Sequence, residues 1–228
     1  SYDERIKNFS WSTSERELDY APGKVINIGW YCSDRICQMG KAGKKALVWE
    51  DAPGRQREYT YNDVRLASNT IGAFLQKQGI DAGDRVCLFM DRVPELYLGF
   101  LGVLKIGAIA QPLFSAFGEE SLFVRLNDAG TRAIITQRKH ALKVRKILQQ
   151  LPNLQHIIII DYDGRKPLQE REIAFSLDDV APVEQLEINP TTAESPSVLH
   201  YTSGTTGQPK GVQHVHYSLI SQYLTAKW

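Results

Sequence analysis

From Ala46 onward, apolar runs of strand length alternate with stretches of helical period. Ala46 to Glu50 reads as a strand, Pro53 and Gly54 as a turn, and Glu58 to Thr60 as a short returning strand. Thr60 is a candidate N-cap, and Asp63 stands where a capping box places its acid. Val64, Ala67, Ile71 and Leu75 recur at helical spacing, and Gly79 supplies a stop. Asp81 to Asp84 is turn chemistry, and Val86 to Met90 is a continuous apolar strand. Pro94 suits the first turn of a helix. That helix, to about Ile106, is apolar nearly all round, which predicts burial, and Gly99 and Gly102 permit a close neighbour.

The alternation continues with a strand at Ala108 to Pro112, a helix at Glu119 to Ala129 closed by Gly130, and a strand at Arg132 to Thr136. A helix follows at Lys139 to Gln150, ended by Pro152, then a strand at His156 to Asp161 and a turn to Lys166. Arg171 to Pro190 is polar and poorly periodic and reads as a linker or peripheral segment. Ser197 to Tyr201 is the final strand expected, and His216 to Trp228 the final helix. Apolar strands alternating with helices predict an α/β fold, a mainly parallel sheet flanked by helices. Residues 1–45 carry Phe9, Trp11, Tyr20, Trp30 and Tyr31 in a polar background, which predicts a segment wrapped on the unit at 46–228.

Composition narrows the function. Apolar residues are 43% and charged residues 23% of the chain, ordinary globular values. Lys plus Arg number 27 against 26 Asp plus Glu, so there is no basic excess to meet a nucleic acid. The basic cluster from Arg138 to Lys146 reads as a solvated helix face. No apolar run is long enough to span a bilayer, and Ser1 to Ser14 has no signal-peptide core, so a cytoplasmic location and no membrane partner are expected. Cys32, Cys37 and Cys87 form no disulfide or zinc pattern; three reduced thiols are expected, with Cys87 in the core.

One segment carries chemistry: Leu199-His-Tyr-Thr-Ser-Gly-Thr-Thr-Gly-Gln-Pro-Lys-Gly211. A strand runs into a loop of glycines and hydroxyls, and a helix is expected within a few residues. Gly204 and Gly207 allow positive φ and close backbone approach. Successive N–H groups then point at phosphate oxygens. Thr202, Ser203, Thr205 and Thr206 add hydroxyls, and Lys210 adds a full charge. A Walker loop is excluded, because Lys210 is followed by Gly211 rather than by a hydroxyl for magnesium.

Tyr201 to Gly211 resembles the phosphate-loop signature of the adenylate-forming superfamily, which includes acyl-CoA synthetases, peptide-synthetase adenylation domains and luciferases. Pro94-Glu-Leu, Leu104-Lys-Ile-Gly-Ala, Pro112-Leu-Phe, Asn8-Phe-Ser-Trp11 and the helix from His214 to Trp228 are similar to the short-chain acyl-CoA synthetases, nearest to the acetate-activating kind. The resemblance spans nearly the whole chain, tightly after Tyr59. It implies a two-step ligase using ATP, a short-chain carboxylate, acetate first, and coenzyme A. Thr202, Ser203, Gly204, Thr205, Thr206, Gly207 and Lys210 are then expected on the leaving phosphates, with Lys210 as the catalytic cation. In that family a Tyr-x-x-Thr-Glu-type segment binds magnesium, an aspartate holds the ribose, and a C-terminal domain brings the adenylation lysine. None has a counterpart here, so this chain is expected to be the N-terminal part of the large domain, to depend on the missing C-terminal part, and to catalyse neither step alone. Magnesium is expected on a downstream ligand, and no metal site here.

Other groups are given bland readings. His214 and His216 are assigned to a helix start and packing, and His200 to a satisfied core position. Asp91, Arg92 and Glu95 follow a strand end and read as helix-capping and surface charges; Asp161 to Gly164 reads as a turn. Two alternatives stay open: adenylation of another acid or for another acceptor, such as a carrier thiol, and a non-catalytic nucleotide-binding fragment.

Overall fold

The structure, a computed structural model of the chain, describes residue 7 and residues 9–203 and 207–227. It opens with short helices α1 (Trp11–Glu17), α2 (Ile28–Tyr31) and α3 (Asp34–Ile36), then a hairpin of β1 (Lys45–Glu50) and β2 (Gln56–Thr60). Helices and strands then alternate as α4 (Tyr61–Lys77), β3 (Arg85–Phe89), α5 (Pro94–Lys105), β4 (Ile109–Pro112), α6 (Glu119–Ala129) and β5 (Ala133–Thr136). There follow α7 (Arg138–Ile147), β6 (His156–Ile159), β7 (Glu172–Ala174), β8 (Pro196–Ser203), β9 (Pro209–Val215) and α8 (Ser218–Lys227).

The capping box forms as the sequence suggests: the Thr60 hydroxyl accepts from the Asp63 N–H, and the Asp63 carboxylate accepts from the Thr60 N–H at 2.8 Å. Seven strands make one sheet in the order β7-β6-β5-β3-β4-β8-β9, every neighbouring pair parallel except the last. Period-two alternation gives each apolar strand two buried faces. Val86, Leu88, Ile135 and Ile158 pack with Ile71 and Leu75 of α4 and Leu98 and Leu104 of α5. Cys87, Phe89, Ile134 and Ile157 pack on the other face with Leu122 and Leu126 of α6 and Val144 and Ile147 of α7. The mainly parallel α/β sheet expected from the pattern is therefore the fold.

Helices α4 and α5 cross closely at Gly102, where an added Cβ would lie 2.8 Å from the Ser68 carbonyl oxygen and 3.1 Å from the Ile71 Cβ. The apolar α5 is buried as its composition requires, with Leu98, Gly102, Val103 and Leu104 inside.

Residues 26–28 are stitched between distant parts of the chain. Ile26 donates to the Thr191 carbonyl at 2.9 Å, and the Thr191 hydroxyl returns a bond to the Ile26 carbonyl at 2.7 Å. The buried Asn27 amide donates to the Leu104 carbonyl at 2.9 Å, and the Ile28 N–H donates to Nδ1 of His216 at 3.1 Å. Tyr20 and Tyr31 are buried with Leu18, Ile26 and Ile220. Lys227 of α8 reaches Glu17 at 2.6 Å. Phe9 and Trp11, two of the aromatics expected to be covered, stay exposed and pack edge-to-face on each other.

Two strands were not legible in the pattern. The stretch read as a linker contains β7, whose Ile173 pairs with Ile158; the buried Glu172 beside it is held by Nε and one Nη of Arg145, at 2.6 and 2.9 Å. The stretch between the loop and the final helix, given no element in the sequence reading, is β9, and the helix expected from His216 begins at Ser218.

Candidate phosphate site on the β8–β9 hairpin

The Gly/Thr/Ser loop thus joins two antiparallel strands rather than a strand and a helix. Among the described residues no helix N-terminus stands behind it, so backbone amides, hydroxyls and Lys210 are what the segment offers an anion. Along β8 and β9 the register pairs Tyr201 with Gly211, Thr202 with Lys210 and Ser203 with Pro209. Thr202 and Lys210 therefore face one another at the mouth of the loop, both exposed. Gly207 has φ +85°, a left-handed conformation that any side chain would strain. Gly204, Thr205 and Thr206 lie outside the described residues. Of the expected set, then, Thr202, Ser203, Gly207 and Lys210 are gathered at one end of the hairpin.

The hairpin reaches the sheet at its base, where Val198 pairs with Ala110. Tyr201 touches α6: its phenol donates to the Asp128 carboxylate at 2.6 Å. Burial, first, and that carboxylate, second, push the phenol's pKa up.

The histidines fall out differently from expectation. His200 is exposed, not a core residue, because β8 alternates and its outer half has left the sheet. His214 lies on β9 rather than at a helix entry, and its ring meets that of His200 edge-on at 5.6 Å. Burial, then the neighbouring His214, lowers the His200 pKa. His216 is wholly buried, as packing predicts.

Asp91 does not cap α5; Val93 holds the N-cap position without a side-chain bond. The Asp91 carboxylate instead takes the ammonium of Lys139 and Nε2 of His140, the latter at 2.8 Å. Hydrogen bonding from Lys139, above all, holds its pKa down to about 2 against the cost of burial. Glu95 pairs with Arg57 at 3.6 Å, and the Arg92 carbonyl accepts from the Trp49 indole. Asp161 is part of a turn, and its carboxylate also accepts the Arg138 N–H that opens α7.

The α7 face is exposed at Lys139 and Lys146, as expected, but its charges are paired rather than free. Arg138 pairs with Asp163, Lys139 with Asp91, Arg145 with Glu172 and Lys146 with Glu119, while Lys143 donates to the carbonyls of Ser115 and Phe117. Its acids come from other elements, which is why local sequence did not reveal them. Among the described residues no three His, Cys, Asp or Glu side chains converge to hold a metal ion. Among them, too, no helix is long and apolar enough to cross a membrane.

A mainly parallel sheet with helices on both faces thus carries a hydroxyl- and glycine-rich hairpin with one lysine. The AMP-binding enzyme family matches residues 35–228, and the chain belongs to that family. It is similar to the acetyl-coenzyme A synthetase of Bacillus subtilis (strain 168), with 36% identity over all of this chain and 39% of that protein. It is also similar to the 3-hydroxypropionyl-coenzyme A synthetase of Sulfurisphaera tokodaii, with 31% identity over 84% of this chain and 31% of that one. Among solved structures, an acyl-CoA synthetase from Brucella canis superposes with a TM-score of 0.82 at 29% identity, covering 96% of this chain and 39% of that one. The chain spans 31% to 39% of the length of these relatives.

Proposed function

We propose that the chain is the N-terminal part of an AMP-forming acyl-CoA synthetase that activates a short-chain carboxylate, acetate in the first place. The observation that carries the reading is the hairpin mouth, where Thr202 faces Lys210 beside the left-handed Gly207, in a chain similar to acetyl-coenzyme A synthetases. A carboxylate oxygen attacks the α-phosphorus of ATP, and the bond to the bridging oxygen breaks. Pyrophosphate leaves with the electron pair, and an acyl-adenylate remains. The thiolate of coenzyme A then attacks the acyl carbon and AMP departs, which forms the thioester.

This chain's residues serve the first step. Negative charge grows on the β- and γ-phosphates as pyrophosphate separates. Donors fixed in advance at that place stabilise the developing charge more than the starting one. Thr202, Ser203, Thr205 and Thr206 supply hydroxyls, Gly204 and Gly207 are glycines with no side chain to stand over their backbone N–H groups, and Lys210 supplies the cation. No carboxylate cluster among the described residues suits magnesium, whose ligand belongs in this reading to the remainder of the polypeptide. The acid's pocket and the partner thiol site are assigned there as well, and the 228 residues alone are expected to catalyse neither step. Use of ATP and coenzyme A suits a cytoplasmic enzyme.

The test is carboxylate-dependent exchange of pyrophosphate into ATP by the complete polypeptide, with acetate against a blank without acid. Exchange stimulated by acetate is the expected result. Exchange only with 3-hydroxypropionate or a larger acid would overturn acetate and leave adenylation standing. Silence with every acid would overturn adenylation.

A further inference from the structure

Beyond Val198 the β8–β9 hairpin leaves the sheet: no residue of β4 is in register with Leu199 or anything after it. Among the described residues, one side-chain hydrogen bond ties this projecting part to the rest of the molecule, from the Tyr201 phenol to Asp128 at 2.6 Å. The phenol reaches Asp128 by lying across the opposite strand. Tyr201 pairs in register with Gly211, and a Cβ built on Gly211 would stand 3.6 Å from ring atoms Cε1 and Cζ of Tyr201 and 3.2 Å from Leu199. The bare glycine is thus the seat of the ring, and both strands are gripped at once. On the α6 side the Arg125 guanidinium lies 5.9 Å from the Tyr201 ring and 4.2 Å from that of Phe117.

Asp128 sits where it serves its own helix badly. It occupies the last turn of α6, where the unsatisfied carbonyls disfavour negative charge, and that turn has no basic residue to compensate. Its partner is a neutral phenol rather than a cation, so the arrangement adds no ion-pair energy to the fold. The rung immediately beyond Tyr201 and Gly211 is Thr202 and Lys210, the first pair of the candidate phosphate ligands.

We propose that Asp128, acting through Tyr201 and the Gly211 seat, is a positioning residue that holds the hairpin against α6 and so fixes Thr202 and Lys210 for the leaving phosphates. The proposal rests on the reading of the loop as a pyrophosphate site. Tyr201 and Asp128 touch no substrate; they set the place of groups that do.

The test uses the complete polypeptide and inorganic pyrophosphate as the probe, titrated by calorimetry, with hydrogen exchange over residues 199–212 measured without ligand. Tyr201→Phe keeps the ring on Gly211 and removes the bond; Asp128→Ala removes the acceptor; Asp128→Asn keeps an accepting oxygen. Expected are faster exchange of the hairpin and about tenfold weaker pyrophosphate binding in the first two variants. Asp128→Asn should stay within about twofold of the unsubstituted chain, a rescue that mere loss of packing would not give. Binding by the unsubstituted chain that Tyr201→Phe and Asp128→Ala leave unchanged overturns the clamp and leaves the loop reading intact. Equal losses in Asp128→Asn and Asp128→Ala also overturn it. No binding by the unsubstituted chain overturns the loop reading, and the proposal with it.

Discussion

The ammonium of Lys105 meets the carboxylate of Asp34 at 2.6 Å inside the fold, with the lysine side chain wholly buried. The same nitrogen donates to Asn69 at 2.7 Å, so α3, α4 and α5 are joined at one charge. Burial pulls the Lys105 pKa down while Asp34 opposes the shift. Removing one member of such a pair strands a charge, which is worse than removing both. Asp34→Ala is therefore expected to cost about 3–5 kcal/mol. Lys105→Met, which keeps the length and drops the charge, should cost less, and the double variant should recover part of the Asp34→Ala loss. Urea unfolding measures all three; a double variant no better than Asp34→Ala would refute the argument.

His216 makes stability depend on pH. Its Nδ1 accepts from the Ile28 N–H, so the ring is neutral, and among the described residues its buried Nε2 has no hydrogen-bond partner. Burial holds its pKa down to about 4, below the ordinary value of 6.5. Between these values the unfolded chain binds the proton and the folded one does not. The contribution is complete above pH of about 6.5 and is lost as pH falls toward 4, by up to about 3 kcal/mol. His216→Gln keeps an acceptor that does not titrate and should flatten the stability profile across that window. An unchanged slope in that variant would assign the effect elsewhere.

Close packing of α4 on α5 has a cost at Gly102. An alanine there meets the backbone carbonyl of Ser68, which cannot give way as a side chain would. Gly102→Ala is expected to destabilise by about 1–3 kcal/mol. Gly43, whose added Cβ has nothing within 4 Å, is the control that should stay near the parent value. Thermal denaturation of the two variants compares them; equal stability would mean the helices separate freely.

Lys210 is exposed, so its removal should act on ligand rather than on fold. Lys210→Ala is expected to weaken pyrophosphate binding by about tenfold and to make the remainder less sensitive to salt. Its melting temperature should match the parent's. Equal affinity would remove the lysine from the phosphate site.

Legibility followed the range over which each signal acts. The capping pair Thr60 and Asp63 and the apolar spacing of α4 are local, and both were readable. So were β3, β5 and β6, because strands buried on two faces need continuous apolar runs. The strand β9 was not, since Pro209 to Val215 is mostly exposed and includes a glycine that seats Tyr201. The strand β7 was hidden by Glu172, whose burial depends on Arg145 of another element. The ion pairs of α7 had the same cause: Asp91, Asp163 and Glu172 arrive from strands and turns elsewhere. At the candidate site, the sequence led to a helix after the Gly/Thr/Ser loop where the structure has a hairpin, and Asp128 carried no local signal.

The stitching of residues 26–28 has a consequence for the order in which the chain closes. Ile26 and Thr191 are 165 positions apart, Ile28 and His216 are 188, and Glu17 and Lys227 are 210. A ribosome makes the first of each pair long before the second. Chains ending before His216 lack the groups that receive Ile28, and those ending before Ile220 lack part of the apolar cover of Tyr20 and Tyr31. Residues 17–28 therefore find these partners only after residues 191–227 have been made, and contacts over such separations form slowly. Stalled nascent chains of increasing length should keep the segment open to protease until α8 has emerged. Residues 17–28 thus act as a seal on this part of the fold rather than as its nucleus.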